Sequence, residues 1–137
     1  MTLALIETYA KAAPVARWLG FSAAADGEDI IFTLGFAERH IGNAQIRALH
    51  GGVIAAFLEF SAQAALHARL GGESPILTVN GDVDYLSSGR AEDMKARVRF
   101  ARIGRRLAFA EAVGWQKDEG RPVAAARFRF RIRDTEK

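Results

Sequence analysis

The chain has 137 residues and no cysteine, which excludes disulfides, thiolate metal sites and a cysteine nucleophile. Half of the residues are hydrophobic and 26% are charged, a globular composition in a length that suits one domain, residues 1–137, with one sizeable core. The net charge of +3 is a mild basic excess that permits an anionic ligand without demanding nucleic acid.

Leu5, Ile6, Tyr9, Ala12 and Ala13 recur at helical spacing and predict a helix over residues 3–12. Glu7 and Lys11 interrupt this stretch, so it reads as neither a signal peptide nor a membrane span. A soluble cytoplasmic protein without a membrane partner is expected. Pro14 opens a second short turn, PVARWLG, that ends at Gly20. FSAAA and DIIFTLGF then read as a hairpin around Asp26, Gly27 and Glu28. Residues 37–50 read as a loop and residues 51–70 as a helix stopped by Gly71 and Gly72.

From Pro75 onward the pattern is strand. PILTVNGDVDYL, DMKARVRFARI, RLAFAEAVGWQ and PVAAARFRFRIR follow one another through short connections, which predicts antiparallel pairing of successive segments. Phe128, Phe130 and Ile132 share one face, and Arg127, Arg129, Arg131 and Arg133 the other. The arginine stripe reads as a solvated sheet face balanced by Asp82, Asp84 and Glu111 across the strands. It lacks the exposed aromatics that nucleic-acid stacking uses, so no nucleic-acid partner is expected.

The helix over 51–70 is apolar nearly all round, so it is buried on more than one side. The fold class is therefore α+β, a curved antiparallel sheet wrapped around one long central helix, with a partner subunit covering the remaining helix surface. Glu59 is the lone acid of that helix, nine residues after His50. Leu58, Phe60, Ala55, Ala56 and Ala62 surround it, and a buried unpaired carboxylate is costly. Gln63, one turn on, shares its face. Gly51 places a backbone N–H at the helix N-terminus, where it has no intrahelical partner and can polarise a carbonyl. Arg90, Arg105 and Arg106 sit at strand ends and in a tight connection, where phosphates can be met. His40 and His67 read as structural or surface residues. The histidines lack metal-ligand spacing, and no metal is expected.

The chain resembles the hotdog-fold acyl-CoA thioesterases, in particular the phenylacetate-degradation type and the related 4-hydroxybenzoyl-CoA thioesterases. The resemblance rests on ARWLGF, IGNAQIRALHGGVIAAFLE, VDYLSSGRAED and RIGRRLAFAEA. The family pattern of Asn or Gln, then His-Gly-Gly, then an acid nine residues after the His is met by Asn43, His50, Gly51, Gly52 and Glu59. Asn43 lies seven residues before His50 where the family has six, and Glu59 stands where the phenylacetate type usually has Asp. Thr78 matches a Ser or Thr on the strand after the helix, although strand parity groups it with Asn80 and Asp82, away from the apolar face.

The resemblance implies hydrolysis of an acyl-CoA thioester to the free acid and CoA. Gly51 N–H then polarises the carbonyl, and Glu59 serves as general base or nucleophile. Asn43 positions water or carbonyl, His50 supports the Gly51 loop, and Gly52, Gln63 and the three arginines contact substrate. Coenzyme A belongs to the substrate, so no separate cofactor is expected. Gly51 and Glu59 lie about 12 Å apart along an ideal helix and are rotated by about 80°. One carbon cannot meet both, which points to a homodimer or homotetramer with antiparallel helices and sites shared between subunits. Two other readings are a non-catalytic acyl-CoA-binding or regulatory module, which the presence of Glu59 argues against, and a hydratase or dehydratase. The spacing from His40 to Glu59 does not suit the latter.

Overall fold

Residues 2–133 are described by a computed structural model. Helices α1 (Thr2–Lys11) and α2 (Pro14–Leu19) come first. Pro14 suits the first turn of α2 because it gives up an N–H that has no helical partner. Gly20 ends α2 in the left-handed region with φ 67°, its N–H reaching the carbonyls of Ala16 and Arg17. A Cβ there would also lie 2.7 Å from the Gly35 carbonyl oxygen, so both conformation and close approach require glycine. Strands β1 (Phe21–Asp26) and β2 (Asp29–Leu34) form the expected hairpin.

The stretch read as a loop carries more order than its sequence suggests. It holds a 3₁₀ turn at Glu38–His40 and a two-stranded antiparallel sheet of β3 (Ile41–Asn43) and β4 (Ala48–Leu49). Pairs this short leave no period to detect. Helix α3 spans Gly51–Arg69 and ends at Leu70, after which Gly71 and Gly72 take positive φ. Their N–H groups return to the carbonyls of Ala68 and His67, satisfying the helix end.

Strands β5 (Ile76–Tyr85), β6 (Met94–Ile103), β7 (Leu107–Trp115) and β8 (Ala124–Ile132) complete a six-stranded antiparallel sheet in the order β1-β2-β6-β7-β8-β5. The expectation that successive strands pair fails for β5, which lies on the far edge against β8 rather than beside β6. The link from Leu86 to Asp93 crosses the sheet end instead. It is tied down by Leu86 N–H on the Val123 carbonyl and by Arg90 against Gln116. Three strand spacings are roughly 14 Å, well within the reach of eight extended residues, roughly 27 Å. The link is short in sequence yet long enough to cross.

The sheet curves around α3 in the hotdog arrangement. Its inner face is lined with small residues, Ala96, Ala108, Ala110, Ala112 and Ala126, which let Phe57, Leu58 and Leu66 of α3 lie close. The partner subunit was expected to cover the other side of the helix, but α1 covers part of it. Tyr9 stacks on Phe60 at 5.4 Å between centroids and lies tilted against His67 at 4.5 Å, and Ile6 is buried. Ala55, Ala56, Glu59 and Gln63 form a half-open stripe along α3.

On the outer face the register sets Arg99 opposite Glu111, Glu111 opposite Arg127 and Arg127 opposite Asp82, a row of alternating charge. Within it Arg99 and Glu111 form an ion pair at 3.1 Å. Arg97 on β6 gathers Asp26 and Asp29 from the β1–β2 turn, each at 2.9 Å, and Glu119 from the β7–β8 link at 2.6 Å. Its guanidinium lies over the Trp115 ring. Among the described residues, no helix is long and apolar enough to cross a membrane.

Candidate active site

The start of α3 is held by a chain of polar groups that begins at the buried His40 and ends at the exposed His50. His40 is fully buried, its Nδ1 accepting the Ala37 N–H at 3.1 Å and its Nε2–H donating to the Trp18 carbonyl at 2.9 Å. The His40 carbonyl accepts the His50 N–H at 2.9 Å. His50 is the N-cap of α3, and its Nδ1 accepts the Gly52 N–H at 2.9 Å, so in the neutral ring the proton sits on Nε2. The His50 carbonyl takes the N–H groups of Val53 and Ile54. His50 thus caps the helix as a side-chain acceptor does, while its ring remains exposed.

Gly42, which the sequence did not single out, makes this cap possible. A Cβ on it would lie 2.7 Å from His50 Cα and 2.9 Å from His50 Cβ. Gly42→Ala is therefore expected to push His50 off the Gly52 N–H. Turnover should fall about ten-fold or more and Tm by several degrees, on the scale of a lost cap. Thermal melts and steady-state rates on the purified variant check this; unchanged values in both would show that the cap absorbs the methyl group.

Among the described residues no acceptor meets the Gly51 N–H, which remains directed outward from the helix start. The Gly51 carbonyl accepts the Tyr85 hydroxyl at 2.7 Å. The atoms nearest to a Cβ on Gly51 would be those of the Tyr85 phenol, ring and hydroxyl both at 3.5 Å, an ordinary contact. Gly52 is more constrained, since a Cβ there would press on His50 Nδ1 at 3.1 Å. Its N–H is already engaged by His50.

Glu59 lies two turns further along and is half-buried. It is not the unpaired acid its apolar neighbours suggest. Its Oε2 accepts the Thr78 hydroxyl at 2.8 Å and the Gln63 amide at 3.3 Å, and the same amide donates to Thr78 Oγ1 at 3.0 Å. This closed triangle fixes the carboxylate. Glu59 Oε1 has no partner among the described residues.

Thr78 reaches Glu59 because β5 carries a bulge. Ile76 pairs with Ile132 and Thr78 with Phe130, but the register shifts before Asn80 pairs with Arg129. The parity reading that put Thr78 on the outer face with Asn80 and Asp82 is therefore overturned: the extra residue reverses the alternation. Tyr9, read from sequence only as a helix residue, also borders this site. Burial, and next the Glu59 carboxylate, push its phenol pKa up.

The remaining site candidates are spread along the molecule. Asn43 is exposed in the β3–β4 hairpin, and its Oδ1 accepts the Gln45 N–H at 3.1 Å. Its side-chain carbonyl thus holds its own turn, and its amide N–H groups are the part that can face a ligand. Arg90 lies at the α3 N-terminal end, bridged to Ala48 and bonded through its backbone to Gln116. Arg105 and Arg106 occupy the β6–β7 turn at the opposite end of the sheet, where the Arg106 carbonyl accepts the Ile132 N–H. Nine residues of β7 separate the two groups, roughly 30 Å. Within one subunit, these arginines cannot grip one phosphate cluster. Among the described residues no three His, Cys, Asp or Glu side chains are grouped to hold a metal ion.

No curated protein compared with the chain matches it in sequence. Solved structures do. A Bordetella protein from the thioesterase superfamily is 28% identical, with a TM-score of 0.87 over 96% of this chain and 98% of its own. A thioesterase from Haemophilus influenzae is 20% identical, with a TM-score of 0.83 over 96% of this chain and 92% of its own. A phenylacetic acid degradation-related protein from Ralstonia eutropha JMP134 is also 20% identical, with a TM-score of 0.79 over 93% and 99%. The last two likenesses speak for the fold. A family model described as the thioesterase superfamily matches residues 47–123, more than half of the chain, a span that takes in Gly51, Glu59 and Thr78 but starts after Asn43. The chain belongs to the thioesterase superfamily.

Proposed function

We propose that the protein hydrolyses an acyl-CoA thioester to the free acid and CoA, at sites shared between two copies of the chain. Superfamily membership makes thioester hydrolysis its general chemistry. The observation that carries the finer reading is the Glu59 carboxylate, anchored through Oε2 by Thr78 and Gln63 on the helix whose first N–H, at Gly51, has no partner among the described residues. Glu59 Oε1 takes a proton from water as the water oxygen adds to the thioester carbon, or attacks that carbon itself. The carbonyl oxygen gathers negative charge against a Gly51 N–H and the positive end of α3. Collapse breaks the C–S bond, and the leaving sulfur receives a proton; on the second route water then cleaves the acyl–Glu59 anhydride, which releases the free acid and restores the carboxylate.

α3 runs unbroken from Gly51 to Arg69, so the separation of about 12 Å along one helix stands. An antiparallel α3 from a second copy brings its Gly51 to the first copy's Glu59. The edge strand β5 supports such a pairing: Leu77, Val79 and Tyr85 along it and Leu86 just after it are each more than half exposed, and an open apolar edge invites a partner. The same antiparallel arrangement draws the Arg105–Arg106 end of one copy toward the Arg90 end of the other, where the phosphates of CoA would be held. Asn43 would offer its amide N–H groups to the carbonyl or to water.

A panel of short, medium, long and aromatic acyl-CoAs, read by thiol release, tests the reading, with the matching N-acetylcysteamine thioesters beside it. Turnover of at least one acyl-CoA is expected. Neutralising Arg105 and Arg106 together should raise KM for acyl-CoA several-fold, leave kcat near its original value, and leave the phosphate-free thioester unaffected. Absence of thiol release across the panel would defeat the proposal.

A further inference from the structure

We infer that Tyr85 is a positioning residue for the thioester carbonyl, its hydroxyl clamping the first peptide of α3 so that the Gly51 N–H keeps its aim. The inference rests on the acyl-CoA hydrolysis proposed above. Gly51 joins two peptide units. The one before it carries the Gly51 N–H, and its other end, the His50 carbonyl, is held by Val53 at 3.0 Å and Ile54 at 3.2 Å. The one after it comprises the Gly51 carbonyl and the Gly52 N–H. Tyr85 holds that carbonyl at 2.7 Å and His50 Nδ1 holds that N–H at 2.9 Å. Both planes flanking Gly51 are therefore pinned. That matters because glycine has the least restricted φ and ψ of any residue, and nothing of its own fixes the direction of its N–H.

Tyr85 is suited to the task by its mounting. It ends β5, and directly after it the Leu86 and Ser87 N–H groups bond the Val123 carbonyl at 2.7 and 3.2 Å. The phenol ring lies along the face of Gly51 where a side chain would stand. The hydroxyl is thus delivered from an anchored strand end to the helix start. Its bond to the Gly51 carbonyl also polarises the Gly51–Gly52 peptide and strengthens the Gly52 N–H as a donor to His50. Tyr85 as a residue is 51% exposed, so loss of the hydroxyl alone leaves no enclosed cavity.

Tyr85→Phe keeps the ring on Gly51 and removes only the hydroxyl. It is expected to lower kcat about ten-fold with KM nearly unchanged, because a misaimed donor weakens the transition state more than the bound ester. The loss should be equal for acyl-CoA and for the N-acetylcysteamine thioester, since Tyr85 acts at the carbonyl and not at the nucleotide. A direct readout is the carbonyl stretch of a bound ¹³C-labelled ketone analogue in which a methylene replaces the sulfur. The stretch should lie below its solution frequency on the wild-type protein and on Glu59→Gln, and move back toward that frequency on Tyr85→Phe. Wild-type turnover with an unchanged kcat and stretch in Tyr85→Phe overturns the role of Tyr85 alone, as does a loss confined to KM. A wild-type protein that releases no thiol from any thioester overturns the hydrolysis reading and this inference with it.

Discussion

Glu59→Gln is expected to lower kcat by at least about 100-fold while leaving the fold intact, the scale of a lost general base. The structure makes this substitution unusually clean. Glu59 serves the fold only as an acceptor, taking the Thr78 hydroxyl and the Gln63 amide on one oxygen. A glutamine carbonyl accepts the same two bonds, so the triangle under the helix survives and Tm should change little. What the amide cannot do is take a proton from water or add to a thioester carbon. Turnover and melting temperature therefore separate, and both are read on one purified protein with the best substrate of the panel. A Glu59→Gln protein with near-wild-type turnover would remove Glu59 from the chemistry. A protein inactive because it is unfolded would be recognised by its melt.

The second large effect is recovery of activity from two inactive parents. Asn43→Asp keeps the oxygen that holds the Gln45 N–H and removes the amide donors. Paired with Glu59→Gln, it tests whether one site draws on two subunits. Each variant alone should be nearly inactive. Co-expressed, half of the randomly assembled dimers carry one copy of each, and one of their two sites then has both residues native. About a quarter of the wild-type sites should return. Heterodimers confirmed by mass but without recovered activity would count against a shared site, since residues drawn from one subunit would leave every site defective.

The elements were legible because their periods are strong. An apolar α3 and the alternation of β6 and β8 can be read from residue type alone, and the His50–Gly51–Gly52–Glu59 spacing carried the family resemblance. What was hidden depends on groups far apart in sequence. The bulge that turns Thr78 inward is one extra residue in β5 and leaves no compositional mark. Tyr85 meets Gly51 across 34 positions, and in sequence it is simply a strand aromatic. Gly42 looks like a loop glycine until the His50 backbone is found against it. The partners of Glu59 were half visible: Gln63 sits one turn away on the same face, whereas Thr78 is delivered from another element.

The Arg97 cluster bears on how unevenly the sheet is held. β6 and β7 pair along their length, from Lys95 opposite Trp115 to Ile103 opposite Ala108. β2 joins β6 only through Phe32–Ala96, Thr33–Lys95 and Leu34–Met94. Beyond that short seam, the tip of the β1–β2 hairpin is fastened by Arg97 to Asp26 and Asp29. These ion pairs are partly exposed, and salt weakens such pairs. The hairpin is thus the part of the sheet whose local opening requires the fewest ladder bonds to be given up. Such an opening would uncover Phe32 and Leu34, both buried against the core, while the β6–β7–β8–β5 ladder and the Glu59–Thr78 contact it carries could stay closed.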